Sequence, residues 1–400
     1  MQQKSVPTLG QRASFWVSAA VVVQTLWTSA APTMTYPLYA AEWHLTLTVT
    51  NMIYAVFPIV VVAVLILFGD LSDHIGRRAT MLMGLSAALL GALLFALAPD
   101  IAWIFVGRVL MGIGVGLAAS PSTAAIIEFS GPGQADRASS ATTASQAVGF
   151  ALATLIGGAL IQYAPNPTRL NFWVLSLVIA TTIAFAWFLP RHTKADAATP
   201  WKLKAPCIPR RLRMTLATSS AAGIVGWVIG GLMLSLGARI SRDLVGSSNI
   251  LVNGAAIALF AVVWGVCSIF ARRVAARWAV VIGAGSSIVS MGALGLSTAQ
   301  HSLWLFLASA SLAGIGYSYL LFGALSLINA NAAADHRAGA FSALYLIVYL
   351  LQGTVAFLLG LAATAWGLEA AIDLGAAFVA AISALAAALA FTYREPAPDA

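Results

Sequence analysis

Residues 69–78 read Gly-Asp-Leu-Ser-Asp-His-Ile-Gly-Arg-Arg, placing two acids, a histidine and two arginines between long runs that are almost purely apolar. The 400-residue chain is 60% hydrophobic and 8% charged, so this stretch concentrates charge that the rest of the sequence avoids. A soluble domain carries about a quarter charged residues. The flanking runs, 47–69 and 79–98, are each long enough to cross a hydrocarbon layer of ~30 Å as a helix. The stretch therefore reads as a short polar turn between two membrane spans.

The same reading extends in both directions. Apolar runs broken by charge, Pro or Gly give twelve spans: 13–39, 47–69, 79–98, 101–127, 139–163, 170–189, 214–237, 250–271, 278–297, 303–328, 339–364 and 371–392. Inside lipid every backbone donor and acceptor must be satisfied within the chain, so repeated spans imply an all-α helical bundle. The first run follows Lys4 and Arg12 but is too long for a signal peptide's apolar region, and it is expected to be retained.

Basic residues orient the bundle. With the N-terminus in the cytoplasm, one side collects Lys4, Arg12, Arg77, Arg78, Arg137, Arg272, Arg273, Arg277, Arg337 and Arg394. The segment after span six adds Arg191, Lys194, Lys202, Lys204, Arg210, Arg211 and Arg213. Only Arg169, Arg239 and Arg242 fall on the other side. Both termini are thus expected in the cytoplasm, and the +8 charge reports topology and contact with anionic headgroups rather than nucleic acid. Cys207 lies in the polar segment and Cys267 within a span, so neither a disulfide framework nor a metal motif is expected. Short loops, abundant alanine and the lack of a glycosylation acceptor fit a bacterial inner membrane.

The one long polar stretch divides the spans six and six, giving expected domains 1–190 and 214–400 joined by a basic cytoplasmic connector, 191–213. Shifting the sequence by 200 residues aligns the halves. Gly114-Val115-Gly116 falls on Gly314-Ile315-Gly316, Asp136-Arg137-Ala138 on His336-Arg337-Ala338, and Arg77 on Arg277. Repeated six-helix halves suit alternating access around a site at the membrane midplane.

With these features together, the 69–78 stretch resembles the signature loop between helices two and three of the major facilitator superfamily. Gly107-Arg108-Val109-Leu110-Met111-Gly112-Ile113-Gly114 resembles the helix-four arginine motif of its twelve-helix drug/proton antiporters. The resemblance covers essentially the whole chain and implies two six-helix pseudo-repeats. In physical terms, Gly69 and Gly76 permit tight turns at the membrane face. Asp73 and Arg77 stand four apart in the favourable order for a helical pair. Glu128 and Arg137 emerge on the same side. The resemblance implies that Gly69, Asp73, Gly76, Arg77, Arg78, Glu128 and Arg137 form a gating network that closes the cytoplasmic face, with Asp73 near the start of helix eleven at Gly339. The second-half counterpart, 271–277, keeps the basic residues but lacks the acids and glycines.

Arg108 is the only basic residue within a span. A charge at a span's centre costs about 2.5–3.5 kcal/mol on insertion scales, so it should face a cavity or a protein partner. Gln24, Thr28, Tyr54, Gln146, Trp227, Asn253, Tyr317, Tyr345, Tyr349 and Gln352 are the further candidates for a substrate or proton pathway. Ser342 shares a helical face with Tyr345, Tyr349 and Gln352. Thr142, Gln146, Gly149, Ala153 and Gly157 form a small-residue stripe on span five that resembles the antiporter glycine motif. Ala153 and Thr154 stand where the motif has Gly-Pro. No Asp or Glu lies deep in a span, so no proton carrier is visible. The expected function is secondary active, proton-coupled efflux of small organic or amphiphilic compounds by alternating access; the alternative is an importer or facilitator of a small organic acid whose carboxylate Arg108 binds. The histidines, His44, His74, His192, His301 and His336, are scattered, and there is no nucleotide-binding loop. An enzyme is not expected, nor is a cofactor or nucleic-acid partner. The expected partners are a small-molecule substrate, protons and the lipid bilayer, with the protein a monomer.

Overall fold

The computed structural model describes residues 8–69, 71–131, 135–190, 212–244, 246, 248–332 and 334–392. Lys4, Asp70, the segment 191–211 with Cys207, and Arg394 lie outside the described residues, as do the side chains of Asp73, Asp136, His336, Arg337 and Ser342.

Among the described residues, twelve long helices follow in chain order. They are α1 Gln11–Ala30, α2 Leu47–Phe68, α3 Arg77–Leu97, α4 Ile101–Glu128, α5 Ala135–Tyr163 and α6 Pro167–Ala186, then α7 Arg213–Ser235, α8 Ile250–Ala271, α9 Ala276–Ala299, α10 Leu303–Asn331, α11 Ala334–Trp366 and α12 Leu368–Thr392. Eleven of them, α2 to α12, are long and apolar enough to cross a membrane. The twelfth, α1, has 20 residues but carries Gln11, Arg12, Gln24, Thr25 and Thr28, which lower its hydropathy. Large apolar side chains such as Leu177, Trp304 and Trp366 point outward, as lipid contact requires.

The first span is shorter as a helix than the apolar run 13–39 suggested. Pro32 ends α1 in a single 3₁₀ turn, Ala31–Met34, because proline offers no N–H. The Thr35 amide donates to the Pro32 carbonyl at 3.0 Å, and a short helix, Tyr36–Glu42, follows. Asp100 caps α4, its Oδ1 accepting from the Ala102 amide at 2.9 Å. Asn249 caps α8 in the same way, accepting from the Val252 amide.

The helices pack into two compact units, residues 1–35 with 63–203 and residues 36–62 with 204–400. Residues 36–62 join the second unit because the first half of α2 is bonded along α11. The Thr48 hydroxyl donates to the Gly360 carbonyl and contacts Thr364 Oγ1 at 2.8 Å. Asn51 Nδ2 donates to the Ala356 carbonyl at 2.9 Å. Gly353 and Gly360, seven apart, let the two backbones approach; a Cβ at Gly360 would stand 2.6 Å from Asn51 Cβ.

Within the first unit, α3 and α4 cross on two glycine pairs. A Cβ on Gly84 would lie 2.6 Å from the Gly114 carbonyl oxygen, and one on Gly91 would lie 2.7 Å from that of Gly107. In the second unit, α9 and α10 cross in the same manner. Gly283 and Gly316 pack backbone to backbone. Ser290 and Ser309 each donate a hydroxyl to the other's carbonyl at 2.9 Å. The repeat is thus present in the packing, but its register is local. Gly84 and Gly91 correspond to Gly283 and Ser290, whereas Gly107 and Gly114 correspond to Ser309 and Gly316. Gly314, which a uniform 200-residue shift pairs with Gly114, packs instead against α8 at Phe260.

Candidate functional site

In the first unit the charged loop is built around Gly76. Its φ of 93° and ψ of 148° belong to a region only glycine enters freely, and this turns the chain sharply from the short helix Leu71–Ile75 into α3. The turn sets Arg77 against the end of α4. Its Nε donates to Glu128 Oε1 at 2.9 Å, and its Nη1 donates to Ser72 Oγ at 3.0 Å. The pair is part-exposed, with 27% of the Arg77 and 38% of the Glu128 side chain accessible. Gly69 ends α2, where a Cβ would meet the Leu65 carbonyl at 2.5 Å.

Arg78 and Arg137 make further contacts in the same unit. Arg78 is 9% exposed, donates to the Leu189 carbonyl at 3.2 Å and lies 5.3 Å from the centre of the Trp187 ring. The Leu9 amide donates to the Phe188 carbonyl next to it. Arg78 therefore clamps the end of α6. Arg137 lies over the Phe15 ring at 5.2 Å, against α1. Arg77, Ser72 and Glu128 are brought together; the Asp73 side chain lies outside the described residues.

Deeper in the same unit, Arg108 has no exposed surface, and its Nη1 donates to the Ser29 carbonyl of α1 at 3.2 Å. One turn along α1, Gln24 Nε2 and Thr28 Oγ1 bond at 2.6 Å, both buried. Gln24 Oε1 has no hydrogen-bond partner among the described residues. The small residues of α5 face α1. A Cβ on Gly149 would overlap the Val23 carbonyl, and Gly157 packs against Met34. Gln146, on the same helix, is half-buried.

The second unit gathers the aromatic candidates. Trp227 of α7 is 8% exposed and is ringed by Tyr349 at 5.8 Å and by Tyr317 and Tyr345 at 6.0 Å, centroid to centroid. Trp264 of α8 packs edge-on against Tyr317 at 4.6 Å. Gly226 and Gly230 give the Tyr317 ring its place; a Cβ at Gly230 would touch the ring at 3.4 Å. Gln352 Nε2 donates to the Tyr54 hydroxyl at 2.8 Å, and Gln352 Oε1, like that of Gln24, has no hydrogen-bond partner among the described residues. Asn253 is not part of this group. Its Oδ1 accepts from Ser241 Oγ at 2.7 Å, where the turn after α7 meets α8. Among the described residues no Asp or Glu is buried; the buried charged residues are Arg78 and Arg108.

Two sequence signals escape the reading by polarity and charge. The glycines Gly84 and Gly91 on one span, and Gly107 and Gly114 on the next, share a seven-residue spacing that marks the crossing. Gly353 and Gly360 repeat that spacing on α11.

Among the described residues, twelve long helices in repeated sets, with a charged loop and a tight glycine turn, define a polytopic membrane protein. The chain belongs to the Major Facilitator Superfamily, whose family model matches residues 16–300. It is therefore a multi-pass membrane protein of that superfamily. It is 30% identical over 129 residues to the multidrug efflux pump LfrA of Mycolicibacterium smegmatis, covering 32% of this chain and 25% of that protein. It is 29% identical over 147 residues to the major facilitator superfamily multidrug transporter mfsC of Aspergillus fumigatus, covering 36% and 28%. The match thus spans about a quarter of the length of these relatives. Among solved structures, the fold resembles the nucleoside transporter NupG at 11% identity and a TM-score of 0.76, covering 94% of this chain and 99% of that one. It also resembles a POT family transporter in complex with 5-aminolevulinic acid, at 13% identity and a TM-score of 0.77, covering 97% and 99%.

Proposed function

We propose that this chain is a secondary active transporter that exports small organic or amphiphilic compounds by alternating access, in exchange for protons. The observation that carries the reading is the group of Trp227, Tyr317, Tyr345 and Tyr349, an aromatic surface with no buried acid among the described residues. Such a surface favours flat or lipophilic solutes over multiply charged ones. The name of one sequence relative, a multidrug efflux pump, supports export, and that of the other, a multidrug transporter, supports the same kind of solute. The organic-acid alternative requires Arg108 to present its guanidinium to a solute. Its burial and its bond to the Ser29 carbonyl favour a brace between α4 and α1 instead.

We place both termini and the connector 191–213 in the cytoplasm and the protein in the inner membrane as a monomer, with 1–190 and 214–400 as its domains. On this placement the α2–α11 seam, from Thr48–Thr364 to Tyr54–Gln352, lies toward the outer side, and opening outward requires it to part.

The test is transport in reconstituted vesicles. A panel of aromatic cations, neutral amphiphiles and small carboxylates is first screened for thermal stabilisation of the purified protein, and binders are then assayed for flux with and without a pH gradient. Gradient-driven movement of aromatic solutes, lost in Trp227→Ala, is expected. Flux confined to carboxylates and unaffected by Trp227→Ala would overturn the reading.

A further inference from the structure

Gln352 of α11 is 8% exposed, and only one head of its amide is used within the unit. Nε2 donates to the Tyr54 hydroxyl of α2 at 2.8 Å, while Oε1 has no hydrogen-bond partner among the described residues. Buried acceptors are rarely left unmet, because water satisfies them in the unfolded chain. The two heads of the planar amide diverge from one carbon, so an Nε2 turned to α2 turns Oε1 away from it. The side chains of α2, α7 and α10 and of residues 343–366 of α11 are all described. Apart from Arg213 at the start of α7, none of them is charged, so these helices offer Oε1 no ionic partner deep in the unit.

The amide adjoins the aromatic group. Successive glycines of α7 seat the two side by side. A Cβ at Gly230 would stand 3.4 Å from the Tyr317 ring, and one at Gly231 would stand 3.1 Å from Gln352 Cγ and 3.2 Å from its Nε2. Trp227 lies four residues before Gly231 on α7, and Tyr349 three before Gln352 on α11, spacings that put each pair on one helical face. The Trp227 and Tyr349 rings meet edge-on at 5.8 Å. Tyr317, Tyr345 and Tyr349 are half-buried, so the group keeps accessible surface beside the amide.

We infer that Gln352 Oε1 is the acceptor by which the aromatic group selects its solutes, namely aromatic amines that carry an N–H donor beside the ring. The tyrosines and Trp227 take the flat part of the solute and favour a cation over their faces. Oε1 takes the N–H, and the buried acceptor is met when solute is bound. The same ring without a donor leaves Oε1 unmet and binds more weakly. The inference rests on the aromatic site proposed above and adds the solute class to it.

The test compares two monocations that differ in one donor, (1-naphthylmethyl)dimethylammonium, with an N–H, and (1-naphthylmethyl)trimethylammonium, without one. Dissociation constants are measured by titration calorimetry on the full-length protein purified in one neutral detergent. A hydrogen bond to a charged donor changes affinity by about tenfold or more, so the wild type should bind the tertiary amine about tenfold tighter. In Gln352→Met the tertiary amine should fall to the level of the quaternary one, whose affinity stays unchanged. Tyr54→Phe removes the bond to α2 but leaves Oε1, and it should keep the preference. Trp227→Ala should weaken both amines alike. Should Gln352→Met not purify, the wild type and Tyr54→Phe decide. Equal affinities in the wild type, or tighter binding of the quaternary amine, with both amines weakened in Trp227→Ala, would overturn the role of Gln352 and leave the aromatic site standing. Equal losses of both amines in Gln352→Met, or loss of the preference in Tyr54→Phe, would overturn it too, by assigning Gln352 to the α2–α11 seam. Binding of neither amine, or binding of both that is indifferent to Trp227→Ala, would overturn the aromatic site itself and the inference with it.

Discussion

Changing Gly84 to alanine should destabilise the protein, whereas the same change at Gly292 should not. In a helix, alanine is favoured over glycine by about 0.5–1 kcal/mol. At Gly84 that gain meets two backbone obstacles: the new Cβ would stand 2.6 Å from the Gly114 carbonyl oxygen and 2.9 Å from the Ala118 nitrogen. Neither can rotate away as a side chain would, so α3 and α4 must separate, and overpacking of this kind costs about 1–3 kcal/mol. The net expectation is a loss of about 1–2 kcal/mol, since the upper end of that range applies against backbone. A Cβ on Gly292 of α9 would meet nothing within 4 Å, leaving only the helix gain.

The two variants should therefore move in opposite directions, about 1.5–3 kcal/mol apart. Gly283→Ala, hemmed in by Leu320 N at 2.8 Å on the corresponding crossing, should side with Gly84→Ala. Unfolding midpoints of the purified proteins in one detergent would decide. A Gly84→Ala midpoint at or above wild type, or shifts of the same sign at Gly84 and Gly292, would show that these crossings are not backbone-limited.

A double-mutant cycle on Arg77→Gln and Glu128→Gln, read from unfolding, should give a coupling of about 0.2–1 kcal/mol, since the 2.9 Å pair is part-exposed. A coupling several times larger would contradict its solvent screening. A membrane-impermeant thiol reagent added outside intact cells should leave Cys207 unmodified; labelling there would reverse the proposed topology. Arg108→Ala should insert and fold yet lose driven flux, while Arg108→Lys, which keeps one cationic donor for the Ser29 carbonyl, should retain part of it. Wild-type rates in both, measured downhill and under a pH gradient, would remove Arg108 from the transport machinery.

Much of the fold is legible in the sequence because membrane insertion leaves a strong one-dimensional signal. Eleven of the spans appear as apolar helices close to their expected places. The end of span one is not legible, because Pro32 breaks the helix without interrupting the apolar run. At the charged loop, the sequence marks Arg77 and Glu128, which do pair. It does not separate Arg77 from Arg78, because adjacent residues differ only in direction and the carbonyl that Arg78 meets lies at Leu189. Asn253 stands out for its polarity within a span, but its bond to Ser241 depends on how the chain turns after α7. Polarity marks a residue that needs a partner and does not say whether the partner is solute or protein.

Arg108 shows how the register of the helix crossings refines that judgement. A uniform 200-residue shift pairs it with Ala308, which is exposed on α10. The crossings give a different answer: Gly107 and Gly114 take the places of Ser309 and Gly316, so Arg108 corresponds to Ala310, a residue with no exposed surface. The same buried place therefore holds a methyl group in one unit and a guanidinium in the other, and close packing does not by itself call for the charge. Gly107 faces α3, and one residue further along a helix turns by about 100°. That rotation carries residue 108 away from the glycine seam to α1, where the Ser29 carbonyl receives it. The motif thus joins two demands on neighbouring positions, a bare backbone for the crossing and a cation for α1. Of these, only the crossing is repeated in the second unit. On the proposed function, a charge that costs about 2.5–3.5 kcal/mol to place in the membrane, at a position that alanine fills in the repeat, serves transport rather than folding, and Arg108→Ala tests that role.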